Sequence, residues 1–246
     1  MKKFLPIILL LLGVGVFIGV FLFIRGKPQE EIVVENEKSL RDIPLDERPI
    51  ASLTPSSDGY WLKLVIEKIV IEADTMDYEL LYKLPDGRTQ GVPGTISLEG
   101  LEEIERDLLL GSESSGKFRY DEGVENGTLT LRFRDEKGKL IVKFSTDFHL
   151  QSNTRALSTV DAAFTYTLTK TPTGVFFVAM ETFGVPGSVN SISSGPYGIF
   201  SSGSTTLSGS IQLDSGTIYR WTGSKWKEVV NGNSSDIGIF YTAIGQ

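Results

Sequence analysis

His149 is the only histidine in the 246-residue chain, and there is no cysteine. One imidazole without thiolates cannot build a multi-histidine or cysteine metal site, and no thiol nucleophile is available. A Ser-His-Asp triad stays formally open because serines and aspartates abound. However, no Gly-x-Ser-x-Gly nucleophile elbow accompanies it: Gly203-Ser204 and Gly209-Ser210 lack the second glycine and the strand-to-helix setting. His149 reads more simply as a strand-end or interdomain residue. Glu99, Glu102, Glu103, Glu105 and Asp107 crowd one short segment. A glycosidase needs two carboxylates about 5 to 10 Å apart across a cleft, whereas charge runs are usually solvated faces. Asp74 and Asp77 could serve a calcium loop, but the alternating Asp/Asn spacing of such loops is absent. These residues give no catalytic, metal or cofactor signature, and a non-enzymatic protein is expected.

The segment with most to offer a ligand is 219–226, Tyr-Arg-Trp-Thr-Gly-Ser-Lys-Trp. Gly223-Ser224 suits a two-residue hairpin turn, and that register sets Trp221 opposite Trp226 with Tyr219 on the same face. Tyr219, Trp221 and Trp226 would then form an aromatic platform able to stack on sugar rings or on a protein partner. Cross-strand aromatic pairs are also ordinary sheet stabilisers, worth about 0.2 to 1 kcal/mol each, so packing alone would explain them.

The elements that must carry these residues begin with 21 uncharged residues, 4–24. As a helix they span about 31 Å, the thickness of a bilayer's hydrocarbon core. A cleavable signal peptide has a shorter apolar region ending at a small-x-small site, and this run ends instead in Phe21-Leu22-Phe23-Ile24-Arg25. Residues 1–27 are therefore expected to be an uncleaved signal-anchor transmembrane helix. Its short N-terminal tail would be cytoplasmic and the long C-terminal part extracytoplasmic. Gly15 and Gly19 form a small-xxx-small pair along which two such helices could pack, giving weak self-association. Of the formal net charge of −7, residues 1–27 hold four cations and no acid, which leaves −11 on the rest. Nucleic acid is thereby an unlikely partner on charge alone.

Residues 28–58 carry eight acids, three cations and four prolines without a sustained apolar period, and read as an acidic disordered tether. Thereafter strand patterns dominate. Leu62, Leu64 and Ile66 alternate with Lys63, Val65 and Glu67. Leu129, Leu131 and Phe133 alternate with Thr130, Arg132 and Arg134, turn at 135–138, and return through Leu140, Val142 and Phe144. Leu98, Leu101, Ile104 and Leu108 recur at helical spacing in a segment that also suits a strand, so a single turn feeding a strand is expected there. Residues 59–150 thus predict an antiparallel sandwich of immunoglobulin or fibronectin type III style. After residue 157 the composition changes: nine of 90 residues are charged, against 31 of 98 in 59–156. That contrast predicts a second, smaller, Ser/Gly-rich β domain over 157–246. Within it, 187–216 holds ten Ser and six Gly, suiting either a flexible loop or short strands joined by turns.

The strings YELLYKLPDGRTQGVPGTI, IERDLLLGSESSGKFRYDEGV and GTLTLRF resemble hypothetical membrane-anchored, β-rich surface proteins of uncultivated candidate-phylum bacteria. The resemblance covers roughly residues 59–150. It implies a surface location and no chemistry, and it implies cysteines in relatives where this chain has Glu113 and Phe118. The expected function is a membrane-anchored, extracytoplasmic binding, adhesion or structural module of the envelope with a glycan or protein ligand. The alternatives are an envelope hydrolase acting on glycans or peptides, and an accessory subunit of a membrane complex.

Overall fold

The computed structural model describes residues 40–189 and 191–244. The expected anchor, with Gly15 and Gly19, and the first part of the expected tether lie outside the described residues. Among the described residues no helix is long and apolar enough to cross a membrane. Residues 40–244 are mainly β, in a single compact unit.

Among the described residues eighteen strands follow in chain order. They are β1 (Ile50–Pro55), β2 (Trp61–Glu67), β3 (Thr75–Lys83), β4 (Thr89–Ser97), β5 (Glu103–Leu109) and β6 (Gly111–Ser114). Next come β7 (Lys117–Tyr120), β8 (Asn126–Arg134), β9 (Leu140–Ser152), β10 (Ala156–Ser158), β11 (Thr165–Leu168) and β12 (Phe176–Glu181). The last six are β13 (Ile192–Ser201), β14 (Gly209–Gln212), β15 (Thr217–Trp221), β16 (Trp226–Glu228), β17 (Asn233–Ser234) and β18 (Ile239–Ala243). A nine-stranded sheet in the order β16-β15-β18-β13-β12-β9-β8-β3-β4 is the backbone of the molecule. Every strand pairing in the described residues is antiparallel.

The alternation read in the sequence explains how the layers stack. Leu129, Leu131 and Phe133 of β8 and Val142, Phe144, Phe148 and Leu150 of β9 share one face and one core. The sheet β1-β2-β5 closes that core with Ala51, Leu53, Leu62, Leu64, Ile66, Ile104 and Leu108. The second core holds Phe177 and Ala179 of β12, Ile199 of β13 and Phe240 of β18 under Leu157, Tyr166, Leu168 and Ile211 of the sheet β10-β11-β14-β17. Successive side chains of a strand point to opposite faces. In β12, Val178 and Met180 belong to the first core while Phe177 and Ala179 belong to the second. The two small sheets therefore cover opposite faces of one large sheet.

This arrangement departs from the expected organisation at two places. The boundary near residue 150 is bridged, because β9 continues to Ser152 and pairs with β12, Val178 opposite Leu150 and Met180 opposite Phe148. One sheet thus runs through both of the stretches read as separate domains, and its nine strands exceed the seven-strand, two-sheet immunoglobulin arrangement. The later part of the expected tether is ordered: Ile43 and Ile50 are buried, and β1 puts Ala51 and Leu53 into the core at zero exposure. Four apolar residues among acids and prolines carry little local signal, and pairing with β2 across 50–67 supplies the rest. The expected turn feeding a strand is present: the Leu101 amide donates to the Leu98 carbonyl at 3.0 Å, and β5 follows with Ile104 and Leu108 buried and Leu101 41% exposed.

Because β12 belongs to both cores, Phe148→Ala in the first and Phe164→Ala in the second should each cost about 3–5 kcal/mol. Both variants should unfold in one calorimetric transition, as should the parent. Two resolved transitions in either variant would show that the cores are separable.

Candidate functional site

Three turns and the ends of two central strands frame a cleft of about 660 Å³, a size typical of small-molecule sites, which run about 300–1,000 Å³. The first turn joins β1 to β2. Ser56 Oγ donates to Asp58 Oδ1 at 2.5 Å, the Tyr60 amide donates to the same oxygen at 3.1 Å, and the Trp61 amide donates to Ser56 Oγ at 3.0 Å. The Ser56 hydrogen bond and then the Tyr60 amide hold the Asp58 carboxyl below its ordinary range, so it stays an ionised acceptor. Gly59 takes φ +75°, and a Cβ there would stand 2.5 Å from the ring of Phe176, so only glycine lets this turn close over that ring.

The second wall is the segment after β7, carrying Asp121, Glu122 and Glu125. Tyr82, buried in the first core, donates its hydroxyl to Asp121 Oδ2 at 2.9 Å. Burial, with the neighbouring Asp121 carboxylate adding to it, pushes the Tyr82 hydroxyl well above its ordinary value, so its proton stays in place and fixes Asp121. A carboxylate offers about four acceptor sites, and Asp121 keeps capacity for a ligand.

His149 lines the third wall. It sits in β9, with Nδ1 2.9 Å from the Ser158 carbonyl, which requires that nitrogen to be the donor. Gln151 brackets the same residue, accepting from the Ser158 amide at 3.1 Å and donating to its carbonyl at 3.1 Å. The histidine thus ties β9 to β10, a structural use that agrees with its sequence reading. Among the described residues no group of three or more His, Cys, Asp or Glu could hold a metal ion.

Beside the cleft stands a ridge of aromatic rings that the sequence reading missed. The hairpin β6–β7 turns through Ser115 and Gly116, both at positive φ, as a two-residue type I′ turn requires. Its side chains Phe118 and Tyr120 reach the β1–β2 turn. Tyr120 stacks on Tyr60 with ring centroids 4.5 Å apart, Phe118 follows Tyr120 at 6.2 Å, and Trp61 meets Phe118 edge-on at 5.6 Å. Phe118 and Tyr120 nonetheless remain 46% and 40% exposed. A two-stranded hairpin alone is marginal in water, and these ring contacts hold it to the molecule. The local signal was there: Ser-Gly flanked by Lys117-Phe118-Arg119-Tyr120 is a hairpin pattern. Tyr60 and Trp61 lie almost 60 residues away, however, and only the fold unites the four rings.

The platform read at Tyr219, Trp221 and Trp226 assembles in the expected register. Trp221 is opposite Trp226, with ring centroids 5.3 Å apart. Tyr241 of the neighbouring β18 joins it, stacked on Tyr219 at 5.2 Å and edge-on to Trp226 at 4.6 Å. All three expected residues are half-buried, and Tyr241 is buried. The chain at 185–187 lies against them: Trp226 Nε1 donates to the Pro186 carbonyl at 2.9 Å, and Gly187 at φ +65° is close enough to the Trp221 ring that a Cβ would come within 3.1 Å. Lys68 Nζ donates to the Val185 carbonyl at 3.3 Å and pins that strap from the other side.

No protein-family model, curated protein or solved structure matches the chain.

Half-burial places the tryptophans between a core pair and an open surface. Trp226→Ala should cost about 2–3 kcal/mol, less than the about 3–5 kcal/mol of a fully buried ring. Trp226→Phe should cost about 1 kcal/mol, mainly for the bond to Pro186. Thermal melts decide it, and a cost near zero for both would show that the strap does not rest on this face.

Proposed function

We propose that this protein is a membrane-anchored, extracytoplasmic, non-enzymatic binding module of the cell envelope, with the cleft and the ring ridge beside it as its ligand contact. The row of half-buried Tyr60 and exposed Tyr120 and Phe118 carries this reading. Beyond holding the hairpin, these rings leave apolar surface open next to a polar hollow, and aromatic side chains are enriched where proteins meet ligands. The apolar run at 4–24 and the resemblance to membrane-anchored surface proteins support the anchor and the location. At the two positions where the resemblance implies cysteines, Glu113 and Phe118 are direct cross-strand partners in β6–β7. Such neighbours approach within the Cα separation a disulfide spans, which suits relatives folding in an oxidising envelope.

The carboxylates Asp58, Asp121, Glu122 and Glu125 around the cleft favour an envelope hydrolase as the second reading. That chemistry needs one carboxylic acid whose proton is retained, through a pKa raised by its surroundings. Asp58 is displaced the other way, and Asp121 is already fixed as an acceptor by Tyr82. Binding is the better account of both.

Protease added to spheroplasts should digest the region 40–246 without lysis. Full-length protein in nanodiscs should co-sediment with native envelope fragments, and Phe118→Ala and Tyr120→Ala should abolish this without lowering the melting temperature by more than a few degrees. Protection in spheroplasts with digestion after lysis would overturn the location, and undiminished co-sedimentation of both variants would overturn the contact surface.

A further inference from the structure

Two hollows, not one, flank the ridge. The second, of about 290 Å³, is lined by Leu84, Pro85, Asp86, Arg88, Arg119 and Tyr120, and it shares Asp121 and Glu122 with the first. Tyr60 lines the first hollow and Tyr120 the second, and these two rings are the pair stacked 4.5 Å apart. A ligand that fills both hollows must cross the Asp121-Glu122 wall along this stack, so it is longer than one ring and meets a tyrosine and the same two carboxylates on either side.

Resting on the binding reading above, we infer that the ligand is a linear polysaccharide without acidic groups, laid across the Tyr60–Tyr120 ridge with a sugar unit in each hollow. Three observations converge on this class. Sugar rings combine C–H faces that pack on aromatic side chains with hydroxyls that donate hydrogen bonds, and the site offers rings next to carboxylate and carbonyl acceptors. The lining of the larger hollow contains no lysine or arginine, so a polyuronate or a phosphate-bearing polymer would meet like charge without compensation. In the smaller hollow Arg88 is already engaged with Asp86, Nη2 to Oδ2 at 2.7 Å, and Arg119 shares the lining with two further carboxylates, Asp121 and Glu122, so acids outnumber cations there too. An extended peptide is recognised mainly by pairing with a free strand edge. Here the walls are turns and the end of β9, where β12 takes one edge through Ser152 and β8 takes the other as far as His149. The Leu150 amide then donates to the Glu125 carbonyl at 2.7 Å, which leaves only the last two residues of that edge, too short a run to add a peptide strand.

The test uses full-length protein in nanodiscs titrated with a neutral chito-oligosaccharide, its monosaccharide, an oligogalacturonate and a polylysine peptide. The neutral oligomer should bind and the monosaccharide should bind much more weakly. Tyr120→Ala should weaken the oligomer about tenfold, matching the loss of one ring contact. Glu122→Gln, which leaves the rings untouched, should also weaken it, and Trp226→Phe should not. Melts of each variant control for folding. Binding of polylysine alone, lost in Tyr120→Ala, or preference for oligogalacturonate, would overturn the neutral glycan while leaving the ridge as a binding surface. If no reagent binds, and Tyr120→Ala co-sediments with envelope fragments as the parent does, both the glycan and the binding reading fall.

Discussion

Strand β12 has no solvent face to spare along Phe177, Val178, Ala179 and Met180, and the rest of the fold depends on that double burial. A strand covered on both sides reads as a continuous apolar run instead of an alternating one, and Phe-Phe-Val-Ala-Met is such a run. On one side it is held by the layer that contains β1 and β2, on the other by the layer that contains β11 and β14. Its neighbours β9 and β13 then carry the sheet outward in both directions, one toward the hairpin-built first half and one toward the aromatic C-terminal edge. The cleft inherits its position from this strand, because Phe176 at the start of β12 is the floor on which the Gly59 turn rests.

What the sequence made legible was local. The β8–β9 hairpin could be read because its alternation faces one core on one side and water on the other, where Arg134 meets Asp77 at 2.6 Å and Arg132 meets Glu79 at 3.0 Å. The Trp221–Trp226 register could be read because Gly223-Ser224 leaves a two-residue turn little choice. Long-range features escaped. The fall in charge after residue 157 suggested a separate domain, yet several of these strands lie inside a shared sheet covered on both faces, and burial depletes charge without any domain boundary. Strand β1 escaped because its apolar residues gain meaning only beside β2.

The candidate site divides in the same way. His149 was legible as a structural residue, since a lone imidazole among strand residues has few other uses. The ridge was not, because its four rings come from two hairpins, β1–β2 and β6–β7, whose sequences say nothing about one another. Their meeting is decided by backbone bonds at the junction: the Leu110 amide donates to the Tyr60 carbonyl at 2.8 Å, and the Asp121 amide to the Leu110 carbonyl at 2.9 Å. These two bonds seat the base of the hairpin against the β1–β2 turn and place Phe118 and Tyr120 within reach of Tyr60 and Trp61.

An open nine-stranded sheet must end somewhere, and its two margins are β4 and β16. An unpaired margin is a template for lateral fusion between molecules. Here β16 offers only three residues, and β4 carries Gly91, Pro93 and Gly94 along its length. Proline withholds a donor and glycine weakens extended pairing, so neither margin can seed a continuous ladder with a neighbour. Two copies brought edge to edge along either margin therefore gain no continuous ladder between them.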